Sequence, residues 1–177
     1  MAPACPPGLA AVARAAAAKP AAKPAAEPAA APPPPPPATE EDRAAAAALK
    51  RAGDEAFVTG RPADAVAAYS GALERTPADP VLLANRAAAH LKRGAHGEAL
   101  ADARRARGLN PTYAKAWYRE GAAAAALGAW EDAAVAYFEA HSLEPANATV
   151  EAAFKDAIAR GRAAHQVAAG GGGKGGA

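Results

Sequence analysis

Residues 60–77, GRPADAVAAYSGALERTP, return 34 positions later as residues 94–111, GAHGEALADARRARGLNP, and again as residues 128–145, GAWEDAAVAYFEAHSLEP. Gly60, Gly94 and Gly128 open the three stretches, and Pro77, Pro111 and Pro145 close them. Between them the period is kept by an acid (Asp64, Glu98, Asp132) and by two alanine sets, Ala65, Ala99, Ala133 and Ala72, Ala106, Ala140. Five positions in register three times over define an internal repeat. A period of 34 residues is that of a stacked helix–turn–helix unit.

The chemistry of each position fits that unit. The three glycines sit where the first helix of a repeat, helix A, must stop and the chain turn back, a place that favours positive φ. Pro62 follows at a first-turn position of helix B, where a missing amide costs nothing. Gly53 with Ala65, Ala87 with Ala99, and Gly121 with Ala133 fall where helices A and B cross, and larger side chains there would hold the backbones apart. Tyr69 and Tyr137 take the large-residue position of helix B, for which Ala103 is a weak substitute in the middle repeat. The closing prolines end each helix B. Helices are therefore expected at 41–59, 62–75, 79–93, 96–109, 113–127 and 130–143, with a seventh at 148–166 capped by Asn147 or Thr149. Val150, Phe154 and Ile158 form one apolar stripe on that last helix, suited to covering the third repeat as array-ending caps do.

Composition sets the limits around this array. The apolar fraction of 51% is mostly alanine and aromatics are only 5%, which suits closely packed helices better than a core of large rings. Residues 1–40 form an Ala/Pro-rich arm ending in the run Pro32–Pro37; proline removes amide donors and fixes φ, so disorder with polyproline II character is expected there. A stiff spacer is the preferred reading of the proline run over a ligand for aromatic-lined grooves. Residues 167–177 read as a flexible Gly-rich tail, whose Gly-Lys lacks the Ser or Thr that a phosphate loop needs. The domain between them is expected at 41–166, with repeats at about 46–79, 80–113 and 114–147 and the cap at 148–166. Four of the 20 basic residues (Arg14, Lys19, Lys23, Lys174) and one of the 18 acidic residues (Glu27) lie in the ends, so the middle carries 16 against 17. A domain held to nucleic acid through phosphates would be clearly basic. Cys5 alone supplies neither a disulfide nor a thiolate metal site. No secretory signal and no apolar stretch of membrane-spanning length are apparent, so the default compartment is the cytoplasm or nucleus. The basic bias of residues 1–39 fits an organelle transit peptide, but the absence of serine there argues against one.

The repeats resemble those of the tetratricopeptide-repeat (TPR) co-chaperones. The resemblance is carried by LKRAGDEAFVTGRPADAVAAYSGALERTP in the first repeat, VLLANRAAAHLKRG in the second and YAKAWYREGAAAAALGAWEDAAVAYFEA in the third, over roughly residues 44–166. The ending AFKDAIARGRAAH, with YREGAA, is similar to the C-terminal TPR section of plant proteins with ankyrin repeats ahead of it. The resemblance implies an all-α TPR solenoid of three repeats plus a capping helix. It further implies a monomeric adaptor that takes the acidic Glu-Glu-Val-Asp tails of 70- and 90-kDa heat-shock chaperones in a carboxylate clamp. The clamp positions of the family fall on Lys50, Asp54, Asn85, Lys115 and Arg119, with Asp54 standing where the family has asparagine.

The residue chemistry supports that cluster independently. Helices A line the inner surface of such an array, so these side chains should converge. Lys115 and Arg119 are i, i+4 neighbours, a concentrated positive spot able to hold carboxylates. Asp54 is the departure, since it offers an acceptor and a like charge to the ligand, and it follows Lys50 by four residues. The alternative is a general TPR scaffold that binds a different peptide or folded partner. Arg104, Arg105 and Arg107 with Lys92 and Arg93 read as a solvated face broken by Asp102 and Glu98, so no nucleic-acid or membrane partner is expected. The four histidines lack metal-type spacing; His90 reads as packed and hydrogen-bonded, and Trp117 and Trp130 read as core. With no nucleophile beside a base and no nucleotide loop, the chain reads as a non-enzyme without cofactor or metal.

Overall fold

The computed structural model describes residues 38–170. The expected Ala/Pro arm lies almost wholly outside the described residues, as does the glycine tail from residue 171 on. The described part is all-α: α1 (Glu40–Val58), α2 (Pro62–Arg75), α3 (Pro80–Lys92), α4 (His96–Leu109), α5 (Ala114–Ala126), α6 (Trp130–Leu143) and α7 (Ala148–Gly170). None of these helices is long and apolar enough to cross a membrane. The repeating glycines act as the sequence requires: Gly60, Gly94 and Gly128 have φ of +76°, +79° and +78°. In each turn the glycine amide bonds a carbonyl three residues back, and the next amide bonds one five residues back (Arg61 to Ala56 at 2.8 Å, Ala95 to His90 at 2.9 Å, Ala129 to Ala124 at 2.9 Å). This is the Schellman closure, in which left-handed glycine satisfies carbonyls the helix end would leave bare.

Helix starts are set by side chains. Thr39 and Asp42 form a capping box on α1, and Asp79 Oδ1 accepts from the amides of Val81 and Leu82 at 2.8 and 3.3 Å. Of the two candidate caps for α7 it is Asn147 that acts, taking the amides of Thr149 and Val150 on Oδ1. The final helix runs to Gly170, four residues beyond the expected end at 166. Val150 is buried, Phe154 packs beside Phe138 with ring centroids 5.8 Å apart, and Ala157 joins the stripe as a fully covered residue.

The core is built from alanine. Ala65, Ala99, Ala133, Ala72, Ala106 and Ala140, the two periodic sets, are all at 0% exposure. Small size at the crossing has a direct cause in the outer repeats. A Cβ on Gly53 would lie 2.7 Å from the Tyr69 ring, and one on Gly121 would lie 2.7 Å from the Tyr137 ring. The middle repeat solves the same crossing differently: Ala87 carries the extra methyl and Ala103 replaces the tyrosine, both fully buried. The weak substitute is thus half of a size-for-size exchange.

Polar bridges tie the repeats together. Arg86 on α3 holds Asp102 on α4 through two bonds of 2.7 Å and donates to Ser70 Oγ on α2 at 3.0 Å. One repeat later the sign is reversed: Glu120 on α5, buried, accepts from Arg104 at 3.1 Å and Arg107 at 2.7 Å on α4. Arg104 and Arg107 therefore hold a buried acid while keeping 50% and 35% of their side chains in solvent, so the face is solvated as expected but not free of partners. Arg105 donates to the Pro77 carbonyl at 3.0 Å. The tryptophans are half-buried where the pattern put them in the core. Trp117 donates to the Pro111 carbonyl at 2.7 Å under the Arg107 guanidinium, and Arg160 lies over Trp130. Each ring is partly covered and keeps a wet edge.

His90 is packed as expected, at 7% exposure, but its Nδ1 has no hydrogen-bond partner and its Nε2 stands 3.7 Å from Asp102 Oδ2. Burial lowers its pKa below the ordinary value; Asp102 and Glu98 oppose this, while Arg93 and Arg86 reinforce it. The neutral ring therefore stabilises the fold fully above the unfolded-state pKa of about 6.5, and that contribution is lost as pH falls from there toward the folded pKa. Between about pH 7.5 and pH 5.5 the urea midpoint of the wild type should drop by more than that of His90→Gln. Equal drops would place the titration elsewhere.

Candidate functional site

Helix α3 packs on both α1 and α5, whereas α2, α4 and α6 make no comparable contacts with one another. The A helices therefore form the inner, closely spaced layer of the described array, and the B helices splay outside it. Four of the five sequence-derived site residues sit on the first and last of these inner helices, with Asn85 on α3 between them.

The structure joins three of the five directly, and Asp54 is their hub. Its Oδ2 accepts from Lys50 Nζ at 2.7 Å, one helical turn back. Its Oδ1 accepts from the Tyr69 hydroxyl at 2.7 Å and from Asn85 Nδ2 at 3.2 Å. Tyr69, absent from the sequence-derived set, is the anchor. Its ring is 2% exposed, wedged over Gly53, and its hydroxyl emerges at the inner surface under Asp54. The legible signal was the pairing of Gly53 with the large-residue position of α2; the hydroxyl's destination depended on how the helices cross. Burial pushes the Asp54 carboxyl up, but the bonds from Lys50 and Tyr69 outweigh it and hold the pKa below the ordinary value. Burial first, and then the bond to Asp54, pushes the Tyr69 phenol up. Asp54 is thus an anion and Tyr69 a neutral donor at neutral pH. Lys50 and Asp54 remain about one-third and two-fifths exposed, so the pair is reachable from solvent.

Lys115 and Arg119 stand apart from that network. They lie one turn from each other on α5 and line a cavity of about 220 Å³ with Tyr118, Glu144, Asn147 and Thr149. Among the described residues neither makes an ion pair; Arg119 has its guanidinium 5.4 Å from the centre of the Tyr118 ring. Two cations without an ion-pair partner on one helical face suit a carboxylate ligand. Tyr113, half-buried between repeats two and three, feels the charges of both Arg119 and Lys50 and of Asp79 and Glu144, while burial raises its pKa. No hydrogen bond links the Lys50–Asp54–Asn85 group to the Lys115–Arg119 pair. The inner face therefore carries one polar cluster closed on Asp54 and one in which Lys115 and Arg119 are not bonded to the nearby acid Glu144.

A three-repeat array of helix pairs is a helical repeat protein, a class whose stacked units leave an extended concave surface, and similarity to known proteins narrows it. No family model matches the chain. It is 39% identical over 108 residues to the Hsp70-Hsp90 organizing protein of Triticum aestivum, covering 61% of this chain and 19% of that protein. It superposes on the first TPR of Spaghetti (RPAP3), solved bound to the HSP90 peptide SRMEEVD, with a TM-score of 0.64 and 32% identity over 66% of this chain and 95% of that one. The second TPR domain of human RPAP3, solved in complex with the HSP70 peptide SGPTIEEVD, aligns with a TM-score of 0.63 and 29% identity, over 66% and 98% of the two chains. The chain belongs to the tetratricopeptide-repeat proteins. It spans about a fifth of the length of the wheat relative.

Proposed function

We propose that this chain is a protein–protein adaptor whose inner groove binds the acidic C-terminal peptide of 70- or 90-kDa heat-shock chaperones in the cytoplasm. The interaction unit is residues 41–166, acting as a monomer and without catalysis of its own. The observation that carries the reading is the pair Lys115 and Arg119, which make no ion pair among the described residues and flank a cavity on the inner face, with Glu144 at its edge bonded to Asn147. An acidic peptide would supply the missing anions, and arginine would add directional bonds to a carboxylate. The TPR domains of similar fold that were solved with SRMEEVD and SGPTIEEVD support the ligand class.

The test is titration of the full chain against fluorescent SRMEEVD. Binding of micromolar strength is expected, weakening with added salt because the contacts are ionic and partly exposed. Lys115→Ala and Arg119→Ala should each weaken it about tenfold or more, the loss of one charge-assisted contact. Undiminished binding by the Lys115→Ala, Arg119→Ala double variant would put the peptide elsewhere, and no binding at all would sink the assignment. A second reading, a scaffold for a different peptide, is favoured by one observation: Lys50 and Asn85 are already bonded to Asp54.

A further inference from the structure

We infer that Asp54 is the groove's own carboxylate, occupying the α1–α3 half of the site so that this chain recognises the acidic side chains of its ligand and not the ligand's free C-terminus. The inference rests on the adaptor reading above and names the ligand class more narrowly: acidic segments, whether or not they end a chain.

Three observations meet at this point. The two side-chain donors of the α1–α3 half, Lys50 Nζ and Asn85 Nδ2, both donate to Asp54, at 2.7 and 3.2 Å. Asp54 is held from below as well as from the sides, because Tyr69 donates to the same oxygen as Asn85, at 2.7 Å. The Tyr69 ring has no room to follow a departing carboxylate, being 2% exposed and pressed against the α1 backbone at Gly53. An Asp54 that swung out of the groove would strand a buried hydroxyl. An incoming terminal carboxylate must therefore take Lys50 and Asn85 from an anion that stays where it is, and then sit beside that anion. Like charges so placed repel, and repulsion strengthens as the ligand excludes water.

The α5 half is under no such constraint. Among the described residues Lys115 and Arg119 have no acid bonded to them; Glu144, which lines the same cavity, accepts from Asn147 Nδ2 at 3.0 Å instead. Glu or Asp side chains of a ligand can pair there without disturbing Asp54. The charge pattern thus discriminates between two kinds of carboxylate on one peptide, accepting those at α5 and disfavouring the one at α1.

The experiment compares a fluorescent peptide ending in Met-Glu-Glu-Val-Asp as free acid and as C-terminal amide, against wild type, Asp54→Asn and Tyr69→Phe. For wild type the two dissociation constants should agree within about threefold, a small fraction of the binding free energy. In Asp54→Asn, which trades the anion for an amide able to donate, the free acid should bind about tenfold tighter or more while the amide is unchanged. Tyr69→Phe keeps the packing and releases the anchor, so its preference for the free acid should lie between the other two. Far-UV circular dichroism melts of the three proteins separate a binding effect from a folding one. The inference is overturned if wild type already prefers the free acid tenfold, or if Asp54→Asn leaves the preference unchanged. Failure of the adaptor reading looks different: neither peptide binds any of the three proteins, and the inference falls with it.

Discussion

Replacing Asp102 with alanine will destabilise the array by about 3 kcal/mol, the scale seen when one partner of a buried ion pair is deleted. Asp102 has only a tenth of its side chain exposed and Arg86 a fifth, and the two are joined in bidentate fashion at 2.7 Å. The variant leaves the guanidinium with Ser70 as its sole remaining side-chain partner and leaves His90 without the acid that faces it. The cost is therefore mainly that of a stranded charge, not of a lost attraction. Urea unfolding followed by circular dichroism measures it, and a thermal midpoint lower by roughly 10 °C is the corresponding shift for a domain of this size. The double variant Arg86→Met, Asp102→Leu should recover most of the loss, because it removes both charges and keeps apolar volume. If the double variant is as unstable as Asp102→Ala, the pair contributes a geometry that apolar packing cannot replace.

The second large effect concerns the crossing of α5 and α6. Tyr137→Ala is expected to cost about 3 kcal/mol, the low end for deleting a buried aromatic. The ring is 6% exposed and packs against Tyr118, with centroids 5.5 Å apart. Gly121→Ala alone should also destabilise, by about 1 kcal/mol: overpacking costs about 1–3 kcal/mol against the 2.7 Å approach to the ring, and the helix propensity of alanine returns up to about 1 kcal/mol. Combined, the two changes should cost less than their sum, because without the ring the new methyl meets no obstacle and partly fills the space. The protein has already made that exchange in its middle repeat, where Ala87 and Ala103 replace glycine and tyrosine. A thermodynamic cycle over the four proteins gives the coupling directly. Strict additivity would mean that the glycine is kept for a reason other than the ring.

Most of the fold could be read because its rules are local and recur. Positive φ after a helix, proline at a helix start and alanine at a crossing each constrain one position, and repetition removes the ambiguity that a single instance leaves. The small deviations follow the same logic. Helix α7 outlasts its expected end because Ala163, Ala164 and Ala168 are strong helix formers and no stop signal intervenes before the glycines. The polar architecture was less legible. Arg104 and Arg107 look like surface charge in the sequence, since their partner Glu120 lies more than ten residues away on another helix. The half-buried state of Trp117 and Trp130 escaped the pattern too, because periodicity marks which way a residue faces and not how much of a large ring the neighbouring helix can cover.

The same division holds at the site. Sequence alone determined that the inner helices carry Lys50, Asp54, Asn85, Lys115 and Arg119, because a 34-residue repeat assigns each position to a helix face. It also determined that Asp54 could reach Lys50, one turn away on the same helix. Only the tertiary structure decided that Asp54 also takes Tyr69 from α2 and Asn85 from α3, and that Lys115 and Arg119 make no ion pair among the described residues. The physical reason is that helix faces follow from local backbone geometry, whereas the choice among competing hydrogen-bond partners is made by ångström-scale distances between helices, which the packed side chains set together.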